Sequence, residues 1–263
     1  MILGLADYER ALTAAGVTEL HVAHHATTGS TNDDARALVG SASEGGGAWA
    51  CLVIAEEQTK GRGRGGNVWL SPQGSISMTL TLAGVPVDRL GVLPLGVGAA
   101  VTAALRGLGI TASVKWPNDV LIHGLKACGI LCESSLLGSM ARVFIGIGIN
   151  VDDGSARLNA ELKATAVSEH AAAVDRPALV ADIASRVLSM ICSEAAGRDI
   201  VEGWKAVSVP WWGEEVTLLD GGVERRVTLL DVNPLGQLVV RDEGGVVRSL
   251  VSGEVRQLRV VAP

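Results

Sequence analysis

Four apolar runs of strand length follow one another in the middle of the chain, and no helix-length segment separates them. They cover residues 112–116, 119–123, 127–134 and 142–149. Strands joined by such short connections pair antiparallel, because a parallel connection needs a crossover of about a dozen residues or more. A doubly wound fold, in which strands alternate with helices, is therefore excluded. The pattern predicts an α+β fold in which helices flank a mixed sheet.

Periodicity and helix-end signals place the flanking helices. Pro177 lies in the first turn of one segment and Gly197 follows its predicted end, as helix termini prefer. The predicted helices are 5–15, Ser30 or Thr31 to about Val39, 92–108, 177–196 and 199–206, and the other strands here are 20–25, 50–55 and 76–83. The segments 57–74 and 152–170 are long and lack apolar anchors, so we expect both to be mobile without a ligand.

The pattern changes after Pro210. Short strands then recur, with Gly and Asn-Pro turns between them, which is typical of a small β-barrel. These strands are 216–219, 223–232, 237–241, 246–250 and 255–261. The sequence therefore predicts a large domain over residues 1–208 and a small C-terminal β-barrel domain over residues 209–263.

Composition limits the class of protein. Hydrophobic residues make up 48% of the 263 residues but include one Tyr and one Phe, so the core must be mostly aliphatic. A net charge of −6 without a long basic segment argues against a protein whose main task is to bind nucleic acid. There is no signal-peptide pattern and no window of eighteen consecutive apolar residues, which predicts a soluble cytoplasmic protein without membrane contact.

The cysteines and histidines give no metal signature. No two cysteines have the two-residue spacing of a zinc or redox site, so free thiols in a reducing compartment are predicted. Three histidines lie close together without neighbouring acids in the sequence, and no metal site is assigned to them. The residues concerned are Cys51, Cys128, Cys132, Cys192, His21, His24 and His25.

A glycine-rich loop carries the only local basic cluster in the sequence. It contains Gly61-Arg62-Gly63-Arg64-Gly65 and ends near Trp69. Glycine lets a loop offer backbone N–H groups to an anion, and arginine adds a bidentate fork for phosphate or carboxylate. Trp69 is suited to stacking on a flat ring. The loop is not a P-loop, because no Gly-Lys-Ser/Thr follows. The alternative is a flexible, solvated loop.

A second polar segment, Lys115-Trp116-Pro117-Asn118-Asp119, separates two of the predicted strands. Lys115 suits a phosphate, and Asp119 suits a metal ion or a hydroxyl. A plain turn remains the alternative, although it would need Asn-Asp but not the flanking Lys-Trp. Lys126 follows as a single cation at the start of the next strand, where a solvated surface lysine is the simpler interpretation.

Glycines interrupt the apolar strand Ile145-Gly146-Ile147-Gly148-Ile149-Asn150. Glycine inside a strand marks close approach by a ligand or by another part of the chain. The sequence leaves both explanations open.

Together these segments resemble the biotin–protein ligase family, in order and in spacing, over roughly residues 25–255. The matching motifs are Ser30-Thr31-Asn32, Gly61-Arg62-Gly63-Arg64-Gly65, Lys115-Trp116-Pro117-Asn118-Asp119, Lys126-x-x-Gly129-Ile130, Gly146-Ile147-Gly148-Ile149-Asn150 and Ser252-Gly253-Glu254-Val255. The resemblance implies a class II synthetase-like catalytic domain followed by an SH3-like β-barrel.

The resemblance also implies an activity. Such an enzyme uses ATP and Mg²⁺ to form biotinyl-5′-AMP, then transfers biotin to a lysine of a biotin carboxyl carrier protein or carboxylase biotinyl domain. The biotin-binding residues would be Ser30, Thr31, Asn32, Gln58, Arg62, Gly63, Arg64, Lys126 and Gly129. The nucleotide-binding residues would be Trp69, Lys115, Asn118, Asp119 and Asn150. The catalytic charge would come from Arg62, Arg64, Lys115 and Lys126.

The sequence departs from the family pattern in two places. Gly65-Gly66-Asn67 stands where other family members often carry a further arginine. Residues 75–79 lack the aromatic residue that is frequent at this strand in the family. Only 29 residues precede Ser30, so we expect a monofunctional ligase without an N-terminal DNA-binding domain. Family members are homodimers in some cases and monomers in others, and either state remains open.

Three rival functions are considered. A lipoate or octanoate ligase shares the catalytic fold, but the Lys-Trp-Pro-Asn-Asp string argues against it. A non-catalytic biotin or acyl-adenylate binding protein is favoured only by the loop Gly65-Gly66-Asn67, which lacks a further arginine. A scaffold protein would leave the polar motifs unexplained.

Overall fold

The computed structural model describes residues 3–42, 50–152, 163–193, 197–220 and 222–257. Within these ranges no helix is long and apolar enough to span a membrane. The helices are α1 Leu5–Ala14, α2 Thr31–Ala42, α3 Leu93–Gly107, α4 Arg176–Cys192 and α5 Gly197–Lys205. The strands are β1 His21–His25, β2 Cys51–Ala55, β3 Ile76–Pro86, β4 Ala112–Lys115, β5 Asp119–Ile122, β6 Leu125–Leu137, β7 Met140–Ile149, β8 Glu215–Asp220, β9 Val223–Val232, β10 Leu238–Asp242, β11 Val247–Leu250 and β12 Glu254–Gln257.

A seven-stranded sheet forms the centre of the large domain. Its strand order is β1-β2-β3-β7-β6-β5-β4. β1 and β2 are parallel, because α2 carries the chain back between them, whereas the other neighbours are antiparallel. The predicted α+β fold with a mixed sheet is therefore confirmed.

The two faces of this sheet have different characters, because successive side chains of a strand point to opposite faces. One face carries aliphatic side chains such as Leu80, Ile130 and Ile147, which share a core with residues of α1, α3 and α4. The other carries Thr79, Gly129 and Gly146 at alternating positions. A smaller cluster under α2 covers part of that face, formed by Ala35, Val39, Cys51, Val53 and Phe144. Polar and glycine residues thus collect on one side of the sheet.

The C-terminal part forms a five-stranded antiparallel sheet in the order β11-β10-β9-β8-β12. Val216, Leu229 and Val240 of this sheet belong to the same hydrophobic core as the large domain. The sheet fits the predicted small barrel. The division at residue 209 stays a prediction, and the segment around it pairs with the large sheet: Val114 N–H donates to Val207 O and Val209 N–H to Val114 O, both at 2.9 Å.

The predicted helix 177–196 is wrong at its C-terminal end. α4 begins at Arg176 behind the capping side chain of Asp175 and ends at Cys192, with Ser193 extended. Arg89 Nη1 donates to the carbonyls of Ile191 at 3.3 Å and Ser193 at 2.9 Å, so a residue distant in sequence satisfies this helix end. Gly197 begins α5 instead of following α4.

Three strand predictions, those for β3, β6 and β7, were too short. β3 continues to Pro86. β6 and β7 extend to a hairpin turn at Gly138-Ser139, because exposed residues such as Leu136 and Leu137 continue the pairing beyond the buried part. Residues 258–261 of the last predicted strand and 153–162 of the segment 152–170 lie outside the described residues. The segment 57–74 contains a 3₁₀ turn at Arg64–Gly66 and isolated bridges.

A buried charged cluster joins α1, β1 and α4 next to the end of β2. The side chain of Glu56 is 8% exposed, accepts a hydrogen bond from the Tyr8 hydroxyl at 2.7 Å and pairs with Arg176 Nη1 at 2.8 Å. His24 Nε2 lies 3.1 Å from the same carboxylate. Burial raises the pKa of Tyr8 far above its usual value, so the phenol stays a hydrogen-bond donor.

Glu56→Gln is expected to lower the free energy of unfolding by about 3 kcal/mol, because it leaves the guanidinium of Arg176 without its buried counter-charge. Urea unfolding at neutral pH measures the loss. Asp182→Asn is the control, since Asp182 pairs with Arg186 on the exposed side of α4, and its loss should stay below about 1 kcal/mol. Equal losses for the two variants would contradict a special role for the buried cluster.

Candidate active site

The N-terminus of α2 forms one half of the site. Thr31 and Asn32 are buried in its first turn. The backbone N–H and the hydroxyl of Thr31 lie 2.9 and 3.1 Å from Gln58 Oε1, which comes from the loop after β2. Ser30, also buried, precedes the helix, and its carbonyl accepts from the N–H groups of the first turn. Polar groups of Thr31 and Gln58, from two separate segments, thus meet at the start of α2.

Thr79 of β3 supports this polar half from the sheet. Its hydroxyl lies 2.8 Å from Thr31 Oγ1 and 2.6 Å from Asn32 Oδ1. Gly146 of β7 gives room for Asn32: a β-carbon there would lie 2.6 Å from Asn32 Oδ1. The amide of Asn32 donates to Glu133 Oε2 on β6. The sequence motifs include neither Thr79 nor Glu133. For Thr79, a polar residue at a buried strand position was a usable signal.

Arg62 lies against the same helix. Its guanidinium forms a bidentate pair with Asp33, at 2.6 and 2.7 Å, and its Nη2 is 4.0 Å from Glu133. The hydrogen bonds from Arg62 lower the pKa of Asp33, and those to Asp33 raise the pKa of Arg62. Asp33 is a further residue that the sequence analysis did not place in the site. A ligand carboxylate that bound Arg62 with both nitrogens would replace Asp33.

The second half is built around Asp119, at the start of β5. Lys126 Nζ lies 2.6 Å from Asp119 Oδ1, and Lys115 Nζ lies 3.1 Å from Oδ2. Burial alone would raise the pKa of the Asp119 carboxyl, but the two ammonium groups outweigh burial and hold the pKa below its usual range. One carboxylate therefore orients two cations, and the group carries a net positive charge.

A turn that contains a cis Trp116-Pro117 peptide bond joins β4 to β5. Asn118 Nδ2 donates to Ile130 O at 2.8 Å, which fixes the turn to β6. Arg64 Nη1 donates to Asn118 Oδ1 at 3.3 Å, so the glycine-rich loop reaches this half of the site. Burial lowers the pKa of Arg64.

The ring of Trp69 packs against two glycines of the sheet. Gly129 of β6 and Gly148 of β7 stand opposite each other across the two strands. A β-carbon would lie 3.1 Å from Trp69 Cζ3 at Gly129 and 2.3 Å from Trp69 Nε1 at Gly148. Lys126 Nζ lies 5.6 Å from the ring centroid, within reach of a cation–π interaction. The glycines of β7 therefore give room to side chains of the site itself, which are Asn32 and Trp69.

Asn150 contacts the backbone at Lys126. Its Nδ2 lies 3.4 Å from Lys126 O and 3.3 Å from Thr165 O, and its backbone N–H donates to Ala127 O. Its Oδ1 is buried and has no hydrogen-bond partner among the described residues. A hydrogen-bond donor of a ligand or a water molecule would satisfy this buried acceptor.

The glycine-rich loop has a conformation that explains its departure from the family pattern. Gly65 and Gly66 have φ angles of 63° and 82°, which an arginine side chain disfavours. Gly63 N–H donates to Asn67 O at 2.7 Å and closes the turn. Arg64 projects from this turn toward Asn118. The loop is a tight turn here, with one arginine on each side of Gly63.

Two of the three histidines in β1 lie beside acids. His24 lies beside Glu56, and His25 Nε2 lies 3.7 Å from Asp34 Oδ2. Across the described ranges, no three His, Cys, Asp or Glu residues are arranged to hold a metal ion.

Comparisons with known proteins place this arrangement in a family. The sequence model described as the biotin/lipoate A/B protein ligase family matches residues 48–150. A biotin–[acetyl-CoA-carboxylase] ligase of Mycobacterium tuberculosis is 31% identical over 245 residues, which cover 89% of this chain and 88% of that protein. The chain belongs to the biotin–protein ligase family.

Two further proteins of the family agree. The bifunctional ligase/repressor BirA of Bacillus subtilis is 34% identical over 235 residues, 86% of this chain and 68% of that protein. A solved biotin protein ligase of Aquifex aeolicus, in complex with biotin and ATP, superposes with a TM-score of 0.71 at 26% identity. The match covers 90% of this chain and 99% of the Aquifex chain.

Proposed function

We propose that this chain is an ATP-dependent biotin–protein ligase that forms biotinyl-5′-AMP and transfers biotin to a lysine of a carrier domain. The observation that carries the proposal is the cationic group of Lys115 and Lys126 around Asp119, which shares one face of the sheet with the polar cluster at Thr31. Two anionic substrates that must react with each other need such fixed positive charge.

The two halves take different substrates in this proposal. Biotin binds at Ser30, Thr31, Asn32, Gln58, Arg62, Gly63, Arg64, Lys126 and Gly129. The nucleotide binds at Trp69, Lys115, Asn118, Asp119 and Asn150. The hydrogen bond between Arg64 and Asn118 and the contact of Lys126 with Asp119 support a common boundary between the halves. The biotin carboxylate and the α-phosphate meet at that boundary.

The adenylation step follows from charge. A carboxylate oxygen of biotin attacks the α-phosphorus of ATP, and the bond to pyrophosphate breaks. Arg62, Arg64, Lys115 and Lys126 offset the charge that the two anions bring together. Arg62 exchanges Asp33 for the biotin carboxylate, because both are carboxylates that accept two hydrogen bonds from one guanidinium. In the transfer step the carrier amine attacks the anhydride carbonyl, loses a proton, and AMP leaves.

Mg²⁺ accompanies ATP in this proposal. Mg²⁺ sites in nucleotide enzymes use one or two carboxylates plus phosphate oxygens and water. Asp119 is a buried, ionised carboxylate beside two phosphate-binding cations, and it fits that requirement. Bound there, the ion supplies charge neutralisation at the phosphates. Asp119 also holds both lysines toward the same point.

The carrier in this proposal is a biotin carboxyl carrier domain, and the reaction takes place in the cytoplasm without nucleic acid. A lipoate ligase is the second candidate, because the matched family includes lipoate ligases. The Lys115–Asp119 string and the relatives named for biotin favour biotin.

The test is to incubate the purified protein with ATP, Mg²⁺ and a biotin carrier domain, with biotin in one arm and lipoate in the other, and to weigh the carrier by mass spectrometry. We expect a gain of one biotin and no gain of lipoate. A gain of lipoate alone would assign the chain to the second candidate. Biotin binding without biotin-dependent ATP/pyrophosphate exchange would instead identify a binding protein.

A further inference from the structure

Trp116 connects the two parts of the chain. Its indole N–H donates to the carbonyl of Gly236 at 3.0 Å, across 120 residues of sequence, and its side chain is 3% exposed. Trp116 begins residues 116–118, the nucleotide turn, which lies between β4 and β5. Gly236 belongs to residues 233–237, the barrel turn, which joins β9 to β10. A buried hydrogen bond therefore links the C-terminal sheet to the turn that sets Asn118 and Asp119.

The barrel turn has a fixed conformation. Asn233 Oδ1 accepts from the N–H groups of Leu235 at 3.0 Å and Gln237 at 3.1 Å, and Asn233 Nδ2 donates to Gln237 Oε1 at 2.9 Å. Gly236 N–H donates to Asn233 O, and Gly236 has a φ of 79°. Because local hydrogen bonds hold the turn, the carbonyl of Gly236 is a fixed acceptor.

The barrel turn also packs backbone to backbone against the large domain. A β-carbon on Gly91, just before α3, would lie 2.6 Å from Leu235 O, and one on Gly236 would lie 2.5 Å from Gly91 O. A β-carbon on Gly197, at the start of α5, would lie 3.2 Å from Pro234 O. These short distances show that the backbone of the barrel turn packs closely against the large domain, with no room for a side chain between them.

The nucleotide turn is held at its other points as well. β4 ends at Lys115, and residues 207–209 hydrogen-bond to Val114 along its outer edge. Asn118 is bonded to Ile130 on β6. The indole bond lies between these two anchors, at the bend where the chain turns from Lys115 to Asp119.

We propose that Trp116 is a positioning residue for the nucleotide, through which the barrel turn fixes the spacing of Lys115 and Asp119. This inference rests on the proposed function. Its consequence is that ATP affinity depends on a contact made by the C-terminal sheet, whereas biotin affinity does not. The biotin half lies on the same face of the large sheet but has its own anchors at Gln58 and Thr79.

Trp116→Phe tests the proposal because it keeps an aromatic ring and removes the N–H, which leaves the carbonyl of Gly236 buried without its donor. We expect KM for ATP in biotin-dependent ATP/pyrophosphate exchange to rise about tenfold, and Kd for ATP measured by calorimetry to rise with it. Kd for biotin should change less than twofold. A folding defect would lower the number of biotin sites per chain instead of producing this split.

Arg248→Gln is the control, because Arg248 Nε donates to Asp242 Oδ2 at 2.9 Å on the same C-terminal sheet, outside both turns and both anchors. It should change neither constant. The proposal is overturned if ATP affinity is unchanged in Trp116→Phe, if biotin affinity falls equally, or if the control behaves the same way. The wild-type exchange rate tests the proposed function separately, since calorimetric ATP affinity does not need turnover.

Discussion

Lys126→Ala is expected to slow biotin adenylation by a factor of about 100 to 1000, which is the usual effect of removing one charge-stabilising donor from a reaction centre. Lys126 contacts Asp119 of the nucleotide half at 2.6 Å and lies over the ring of Trp69. In the proposed function it is the cation that both substrates approach. Without it, the carboxylate of Asp119 also faces the incoming phosphates with less compensation, and this adds repulsion.

The measurement for Lys126→Ala is single-turnover formation of biotinyl-5′-AMP at saturating substrates, so that a binding defect does not hide the chemical step. Lys205→Ala is the control, since Lys205 pairs with Glu202 and Asp231 away from the site. Lys126→Arg should recover part of the rate, because it restores charge with a different shape. A loss below fivefold for Lys126→Ala would remove Lys126 from the catalytic group.

Much of the fold could be predicted from local pattern. The consecutive strands from 112 to 149 are apolar runs with short turns, and such runs in a sequence indicate antiparallel pairing without further information. The end of α4 could not be predicted this way, because Arg89, about a hundred residues earlier, satisfies its last carbonyls. Tertiary contacts of this kind leave no mark in the local sequence.

The candidate site, too, could be predicted only in part from the sequence. The motifs predicted which polar residues belong to the site. In the structure Lys115 and Lys126 both contact Asp119. The partner of Arg62 was not predictable, since Asp33 looked like an ordinary acid in the first turn of a helix. The bond from Trp116 to Gly236 depends on how two sheets meet. Motif spacing gives no information about that contact.

The glycines of β7 allow a prediction that separates the two substrates. In Gly148→Ala the new β-carbon would lie 2.3 Å from Trp69 Nε1, so the indole ring must move away from Gly129 and Gly148. KM for ATP should rise at least about tenfold, and overpacking should lower the free energy of unfolding by about 1–3 kcal/mol. In Gly146→Ala the clash is with Asn32 Oδ1 at 2.6 Å, and the loss should fall on biotin affinity instead.

Each of the two variants is the control for the other, because both add one methyl group to the same strand, two residues apart and on the same face of the sheet. Calorimetry with ATP and with biotin on each variant gives four affinities. Gly203→Ala in α5, where nothing lies within 4 Å of the new carbon, reports the effect of a methyl group alone. If both variants of β7 weakened both ligands equally, the strand would act as one unit. The division of the sheet face into a biotin half and a nucleotide half would then be wrong, whereas opposite specificities would place the boundary between Gly146 and Gly148.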